Sequence, residues 1–228
     1  MESSNLIDLS HPLDDNVPVY PGDPPFACRQ FCSIPDTGFS VHQLSFSSHV
    51  GTHIDAPSHR FADTPTIDAI PLSTFVRPAI VIDVSSKSAR SRIGLPDLRP
   101  YESRIQAEGG VMVLFRTGWD RFWADKEGKY FEHPYVEKAV AERLVELGVG
   151  VLGIDTMSPD PISEDEGEDT LGVHNTILGS GKLIAENLTN LDELQAAQGR
   201  GGRLMVCLAP LKITGCDGSP VRAFGWVE

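Results

Sequence analysis

The chain has 228 residues, 40% of them hydrophobic, which is enough for one sizeable core and too apolar for a disordered polymer. Its 32 acidic residues against 19 basic ones leave a formal charge of -13, and no local basic patch offsets it, so phosphate backbones and anionic membrane surfaces are repelled. No apolar run nears the roughly 20 residues that span a bilayer, and the first twenty residues lack both the basic and the apolar regions of a secretion signal. These readings predict a single domain over residues 1–228 and a cytoplasmic protein. Nucleic acid and membrane are not expected among its partners.

In chain order, Asn5 to Leu9 is a short apolar segment that reads as an edge strand. Val17 to Pro25 carries Pro18, Pro21, Pro24 and Pro25, too many for a central strand, so a stiff loop is predicted. Val41 to Ser47 places Leu44 and Phe46 two apart, the period of a half-buried strand. Ala79 to Val84 and Val111 to Phe115 are unbroken apolar runs, as in strands covered on both faces. Tyr135 to Leu147 has Val136, Val140, Leu144 and Leu147 at helical spacing, with Gly148 where a C-terminal cap belongs. Val149 to Asp155 then reads as a buried strand, and a helix feeding such a strand implies α/β layering. The run from Ser163 to Asp169 reads as a solvated acidic loop. Leu191 to Ala197 is predicted as a helix capped by Asn190, followed by strands over Arg203 to Ile213 and Val221 to Trp226. The four cysteines, Cys28, Cys32, Cys207 and Cys216, lack CxxC spacing and read as free thiols.

Chemistry is concentrated in His49-Val50-Gly51-Thr52-His53-Ile54-Asp55-Ala56-Pro57-Ser58-His59, which holds three of the seven histidines. Imidazole nitrogen and carboxylate oxygen are good ligands for zinc, manganese and related ions. His49, His53, Asp55 and His59 share one parity, so an extended chain would turn them to one face. A helix would turn Asp55 roughly 160° from His53, and Gly51 and Pro57 oppose a helix in any case. The segment is therefore placed at the end of a strand running into a loop, with Gly51 letting the backbone turn or approach the ion. Thr52 reads equally as a support for the ligands or as a plain structural residue. Taken singly, His174 and Glu186, twelve apart, read as surface or helix-end residues.

HVGTHIDAPSH resembles HxGTHxDxPxH, the signature of the cyclase-like metal-dependent hydrolases, a family that includes bacterial kynurenine formamidases and isatin hydrolases. Further segments are similar: Pro18 to Asp23 to the family's early substrate-side loop, Gly153 to Thr156 and Ser158 to Pro161 to its central strand and following loop, and Ser219 to Ala223 to its C-terminal strand. The resemblance implies a swivelling β/β/α fold, a homodimer or higher oligomer, and one or two zinc or manganese ions per chain. It implies that His49, His53 and Asp55 hold a first ion and that Asp55 bridges to a second, held by His174 and Glu186. It assigns His59 to proton transfer, and Tyr20 stands in the substrate-side loop where the formamidases carry Trp.

Such an ion lowers the pKa of bound water from about 15.7 to about 7, giving hydroxide at neutral pH. Attack on an amide or formamide carbonyl requires the departing nitrogen to be protonated, which suits an imidazole at His59. The reading is hydrolysis of a C–N bond in a small, aromatic substrate. Ring opening of a cyclic amide or lactone, a biosynthetic cyclase or dehydratase, and a metal-binding protein without catalysis are the alternatives.

Overall fold

The computed structural model describes residues 6–162 and 170–228. The acidic run from Ser163 to Asp169 lies outside the described residues. The strands are β1 Ile7–Asp8, β2 Ala27–Cys32, β3 Val41–Ser45, β4 His53–Asp55, β5 Val76–Asp83, β6 Arg92–Ile93, β7 Met112–Arg116, β8 Tyr135–Val136, β9 Val151–Ile154, β10 Leu183–Glu186, β11 Leu204–Cys207, β12 Gly218–Pro220 and β13 Phe224–Val227. The helices are α1 Ile34–Thr37, α2 Leu95–Leu98, α3 Glu102–Glu108, α4 Lys138–Glu146, α5 Gly172–Gly179 and α6 Leu191–Gly199.

Nine strands form one mixed sheet in the order β1-β13-β11-β5-β7-β9-β10-β4-β12. Its centre, β5-β7-β9-β10, is parallel, and strands on both sides of it pair antiparallel. The apolar runs predicted as doubly covered strands occupy that centre. Alternate residues go to opposite faces: Ile80, Ile82, Val113, Phe115, Leu152, Ile154 and Ile184 meet Ile105 of α3, Val140 and Leu144 of α4, and Val173 and Ile177 of α5. Val81, Met112, Leu114, Val151, Leu183 and Ala185 form a second core with Ile54 of β4, Leu191 and Leu194 of α6, and Val206 of β11. Burying a Val, Leu or Ile side chain contributes about 1.5–3 kcal/mol, so the two faces together hold the sheet.

Several expectations need correction. Val41–Ser45 is a strand, but every residue of it is exposed, because it pairs with β2 in a separate hairpin and not with the main sheet. The helix predicted from Tyr135 begins at Lys138. Tyr135 and Val136 pair in parallel with Arg92 and Ile93, and Val136 N–H donates to Pro159 O at 2.8 Å, so tertiary pairing overrides the helical spacing. Asn190 does precede α6, but it stands at φ 54 and makes no side-chain cap; its Nδ2 donates to Asp8 O at 2.8 Å. The strand predicted to reach Ile213 ends at Cys207, and the segment Ser219 to Ala223, likened to the family's C-terminal strand, overlaps β12 only at Ser219 and Pro220. Ile7–Asp8 is an edge strand, and 17–25 has no regular element beyond turns, as expected. All four cysteines are free.

Candidate metal centre

The centre is assembled where β10, the last parallel strand, meets the antiparallel β4. Their register pairs Glu186 with His53, Ala185 with Ile54 and Ile184 with Asp55. Ile54 and Ala185 point into the second core, so His53, Asp55 and Glu186 all point to the other face. That face carries α5, which brings in His174. The shared parity of His53 and Asp55 thus acts as predicted, within one strand. His49 and His59 lie outside it. His49 is in a turn before β4, and His59 ends a 3-10 turn, Pro57–His59, after it.

Gly51 makes the first turn possible. It stands at φ +63, and a Cβ there would come within 2.3 Å of Leu13 Cδ2. The close approach is to Leu13. The carbonyl of Gly51 accepts from His53 Nδ1 at 2.7 Å and from Asn187 Nδ2 at 2.9 Å. That bond leaves His53 Nε2 free on the side of the cluster. Thr52 donates to Asn187 O at 2.6 Å and accepts from His11 N–H at 3.0 Å, tying the histidine segment to the residue after Glu186.

Five side chains converge. Asp55 Oδ1 lies 2.7 Å from His49 Nδ1 and 3.4 Å from His53 Nε2, while Oδ2 turns towards His174 Nε2 at 3.7 Å. Glu186 Oε2 lies 3.1 Å from His53 Nε2, and Oε1 lies 3.3 Å from His174 Nε2. The ligand atoms group as His49–His53–Asp55, as Asp55–His174–Glu186 and as His49–His59–Asp217, with Asp55 common to the first two. His53 Nε2, Asp55 Oδ2 and Glu186 Oε1 are buried yet have no hydrogen-bond partner. Buried polar atoms left unpaired cost about 1–3 kcal/mol each, so three on neighbouring side chains of one cluster is the pattern of ligands that await a cation. The set is nitrogen and carboxylate oxygen without sulfur, which suits zinc or manganese. No candidate metal cluster among the described residues includes a cysteine.

The electrostatics agree. Burial opposes a charged ring at His49, yet the Asp55 charge and the hydrogen bonds to Asp217 and Asp55 raise it to about 11. Burial likewise opposes charge at His53, and Asp55 and Glu186 raise it to about 9. Burial opposes ionisation of Asp55 too, but His49 and His53 hold it well below its ordinary value. The site therefore stabilises positive charge at its centre.

Three supporting residues were not read from the sequence. Asp160 accepts from His174 Nδ1 at 2.7 Å, His174 N–H at 2.9 Å and Val173 N–H at 2.8 Å, which fixes the ring with Nε2 towards Glu186. Asn187, at φ 55, turns the chain after Glu186, and its Oδ1 accepts from Tyr130 Oη at 2.7 Å. Asp217, one residue before β12, accepts from His49 Nε2 at 2.9 Å, His59 Nδ1 at 3.2 Å and Ser48 Oγ at 2.8 Å. No periodicity marks these residues; Asp160 and Asp217 sit only in or beside segments that show the family resemblance. Tyr20 is not brought into the cluster: it is 40% exposed, and no side-chain bond or ring contact among the described residues joins it there. Its loop is nevertheless tied to the histidine turn. Asp23 N–H donates to Tyr20 O at 3.0 Å, Ser47 Oγ donates to Asp23 Oδ2 at 3.3 Å, and His49 N–H donates to Ser47 Oγ at 3.0 Å.

A mixed α/β sheet with histidines and carboxylates gathered at one strand seam defines a metal-binding protein. The profile of the Cyclase family ("Putative cyclase") matches residues 7–161. Kynurenine formamidase of Bacillus cereus is 33% identical over 228 residues, covering 98% of each chain, and that of Geobacillus thermodenitrificans is 33% identical over 218 residues, covering 95% of each. Isatin hydrolase A of Labrenzia aggregata, solved with benzyl benzoate, superposes with a TM-score of 0.84 at 27% identity, covering 98% of this chain and 93% of that one. The chain belongs to the Cyclase family, and its fold is the cyclase-like hydrolase fold.

Proposed function

We propose that this enzyme, a metal-dependent hydrolase of amide bonds, acts on a small aryl formamide or closely related aromatic amide. The observation that carries the reading is the set of unpaired buried ligand atoms on His53, Asp55 and Glu186, beside a partly exposed His59 whose ring lies 4.1 Å from that of His49. Whole-length similarity to kynurenine formamidases supports the choice of bond. We assign His49, His53 and Asp55 to a first ion and Asp55, His174 and Glu186 to a second, zinc or manganese in each case. When bound, such an ion acidifies water and polarises the carbonyl oxygen.

The chain's own residues do the rest. Asp160 and Gly51 O hold the His174 and His53 rings with their Nε2 atoms towards the Glu186 carboxylate, as ligands of an ion would stand. His59 takes a proton from the attacking water and delivers it to the departing nitrogen. The C–O bond forms, the C–N bond breaks, the amine leaves carrying the proton that His59 delivers, and the formic acid leaves as formate after losing its remaining proton to solvent. Tyr20, on a loop stiffened by prolines, supplies a flat surface for the aryl group at little entropic cost. Ring opening of a cyclic amide uses the same steps and is the second reading, favoured by the isatin hydrolase superposition. We further propose a cytoplasmic homodimer or higher oligomer. A panel of N-formylkynurenine, simple aliphatic formamides, isatin and lactones, run on protein of measured metal content, tests the reading. Faster turnover of aryl formamides is expected, and preference for lactones or isatin would overturn it.

A further inference from the structure

Asp217 lies in the acid–histidine arrangement that orients a proton-transfer imidazole, and nothing in the sequence marks it for that role. Its carboxylate is fully engaged: Oδ2 accepts from His59 Nδ1 at 3.2 Å and from His49 Nε2 at 2.9 Å, and Oδ1 accepts from Ser48 Oγ at 2.8 Å. The backbone holds this geometry. Ala56 N–H donates to Asp217 O at 2.9 Å, and His59 N–H donates to Ala56 O at 2.9 Å, so both residues are fastened to Ala56, just past the end of β4. On the other side, Ile67 N–H donates to Cys216 O at 2.8 Å. Gly218 lets the strand come close, since a Cβ there would stand 2.9 Å from His49 Cε1 and 2.9 Å from Ile54 O.

We propose that Asp217 is a positioning residue for His59: it accepts the hydrogen bond of Nδ1–H and so leaves Nε2 as the atom that receives and returns the reaction's proton. The proposal rests on the reading of His59 as the acid/base. A neutral imidazole has one donor and one acceptor nitrogen, and the partner of one decides the state of the other. An amide in place of the carboxylate can turn its NH₂ to Nδ1 and select the wrong tautomer. In the serine-hydrolase triad that change costs about 10⁴-fold in kcat. Asp217 is 39% exposed and its bond to His59 is 3.2 Å long, so the smaller loss of about 10- to 100-fold typical of outer partners of a site is expected here.

Because Asp217 also touches His49, the test must separate an effect on His59 from an effect on the metal. Asp217→Asn should lower kcat about 10- to 100-fold, change KM by less than about threefold, and leave the metal content per chain unchanged. In a His59→Ala background the same substitution should change kcat by less than about twofold. A comparable loss in both backgrounds, or loss of bound metal, would overturn the proposal. Nitrogen-15 NMR of the imidazoles in the zinc-loaded wild-type protein gives a readout that needs no substrate. His59 should carry its proton on Nδ1, and a proton on Nε2 instead overturns the assignment. Should none of the panel compounds turn over, the formamidase reading fails while the NMR result still decides the tautomer.

Discussion

Asp160→Ala should uncouple the second half of the metal centre from the fold. Asp160 is buried and spends both oxygens on the start of α5: Oδ1 on Val173 N–H, and Oδ2 on His174 N–H and Nδ1. Alanine removes all three bonds and leaves two backbone donors and one ring nitrogen without their partner. Each donor left unpaired costs about 1–3 kcal/mol, but water entering the vacated space recovers part of this, so a net loss of about 3 kcal/mol is reasonable. For a chain of this length that corresponds to a fall in Tm of roughly 6–12 °C. The His174 ring also loses its orientation, and outer partners of ligating histidines are typically worth about 10- to 100-fold in metal affinity. Asp160→Asn keeps an acceptor for Val173 but presents NH₂ to His174, so it should lose nearly as much affinity with a smaller fall in Tm. Calorimetry and a competitive zinc titration on both variants check this. If Asp160→Ala melts within about 1 °C of the wild type and binds zinc equally well, the bonds to Asp160 do not hold His174.

Glu186→Gln should reduce bound metal by up to one equivalent per chain, measured by elemental analysis after dialysis; full occupancy would remove Glu186 from the ligand set. His59→Ala should keep its metal and lose about 10²–10⁴-fold in rate, whereas loss of metal would make His59 a ligand. Tyr20→Ala should raise KM more than it lowers kcat, since the contact is common to ground and transition states; an unchanged KM would mean that the loop does not select substrate. In metal-free protein, His49 and His53 are raised from 6.5 to about 11 and about 9. Their contribution to stability is therefore complete below about pH 6.5 and is lost as pH rises through about 9 and about 11. The Tm of chelator-treated protein should fall between pH 7 and pH 10, with zinc-loaded protein falling less because ligation replaces the protons. A flat profile without metal would contradict this charge balance.

The legible parts of this protein were those set by local pattern. The doubly covered strands were visible because both of their faces are apolar, and Ile80, Val81, Val113 and Leu114 do divide between the two cores. The parity of His53 and Asp55 was visible because strand geometry depends on nothing beyond the strand. What escaped was set by partners far along the chain. Tyr135 and Val136 have helical spacing but are captured by Arg92 and Ile93. Leu44 has strand spacing, but it sits on a hairpin outside the main sheet and stays exposed. Asp217 stands 158 residues from His59, and no local pattern could join them. Ligands cluster in sequence when one turn supplies them, whereas the residues that aim those ligands come from wherever the sheet brings a strand end alongside.

The register at the β10–β4 seam is therefore the feature on which the chemistry depends. Ligand sites in open α/β sheets lie outside the carboxyl ends of the parallel strands, and Glu186 is the last residue of β10. Because β4 runs antiparallel to β10, its first residue, His53, lies at that same end, opposite Glu186. The turn holding His49 must then precede β4, which is where Gly51 at φ +63 and the approach of Leu13 are found. On its other side, β4 pairs with β12 at Gly218↔Asp55, and this pairing delivers Asp217 to the turn that carries His59. A slip of one residue in either pairing would exchange Ile54 with its neighbours between core and site. It would put His53 and Asp55 into the packed face of Leu183 and Ala185, where neither could be solvated or ligated. Burial of Ile54 in the second core thus keeps His53 and Asp55 on the face where Glu186 stands, so the forces that bury the core also place the ligands.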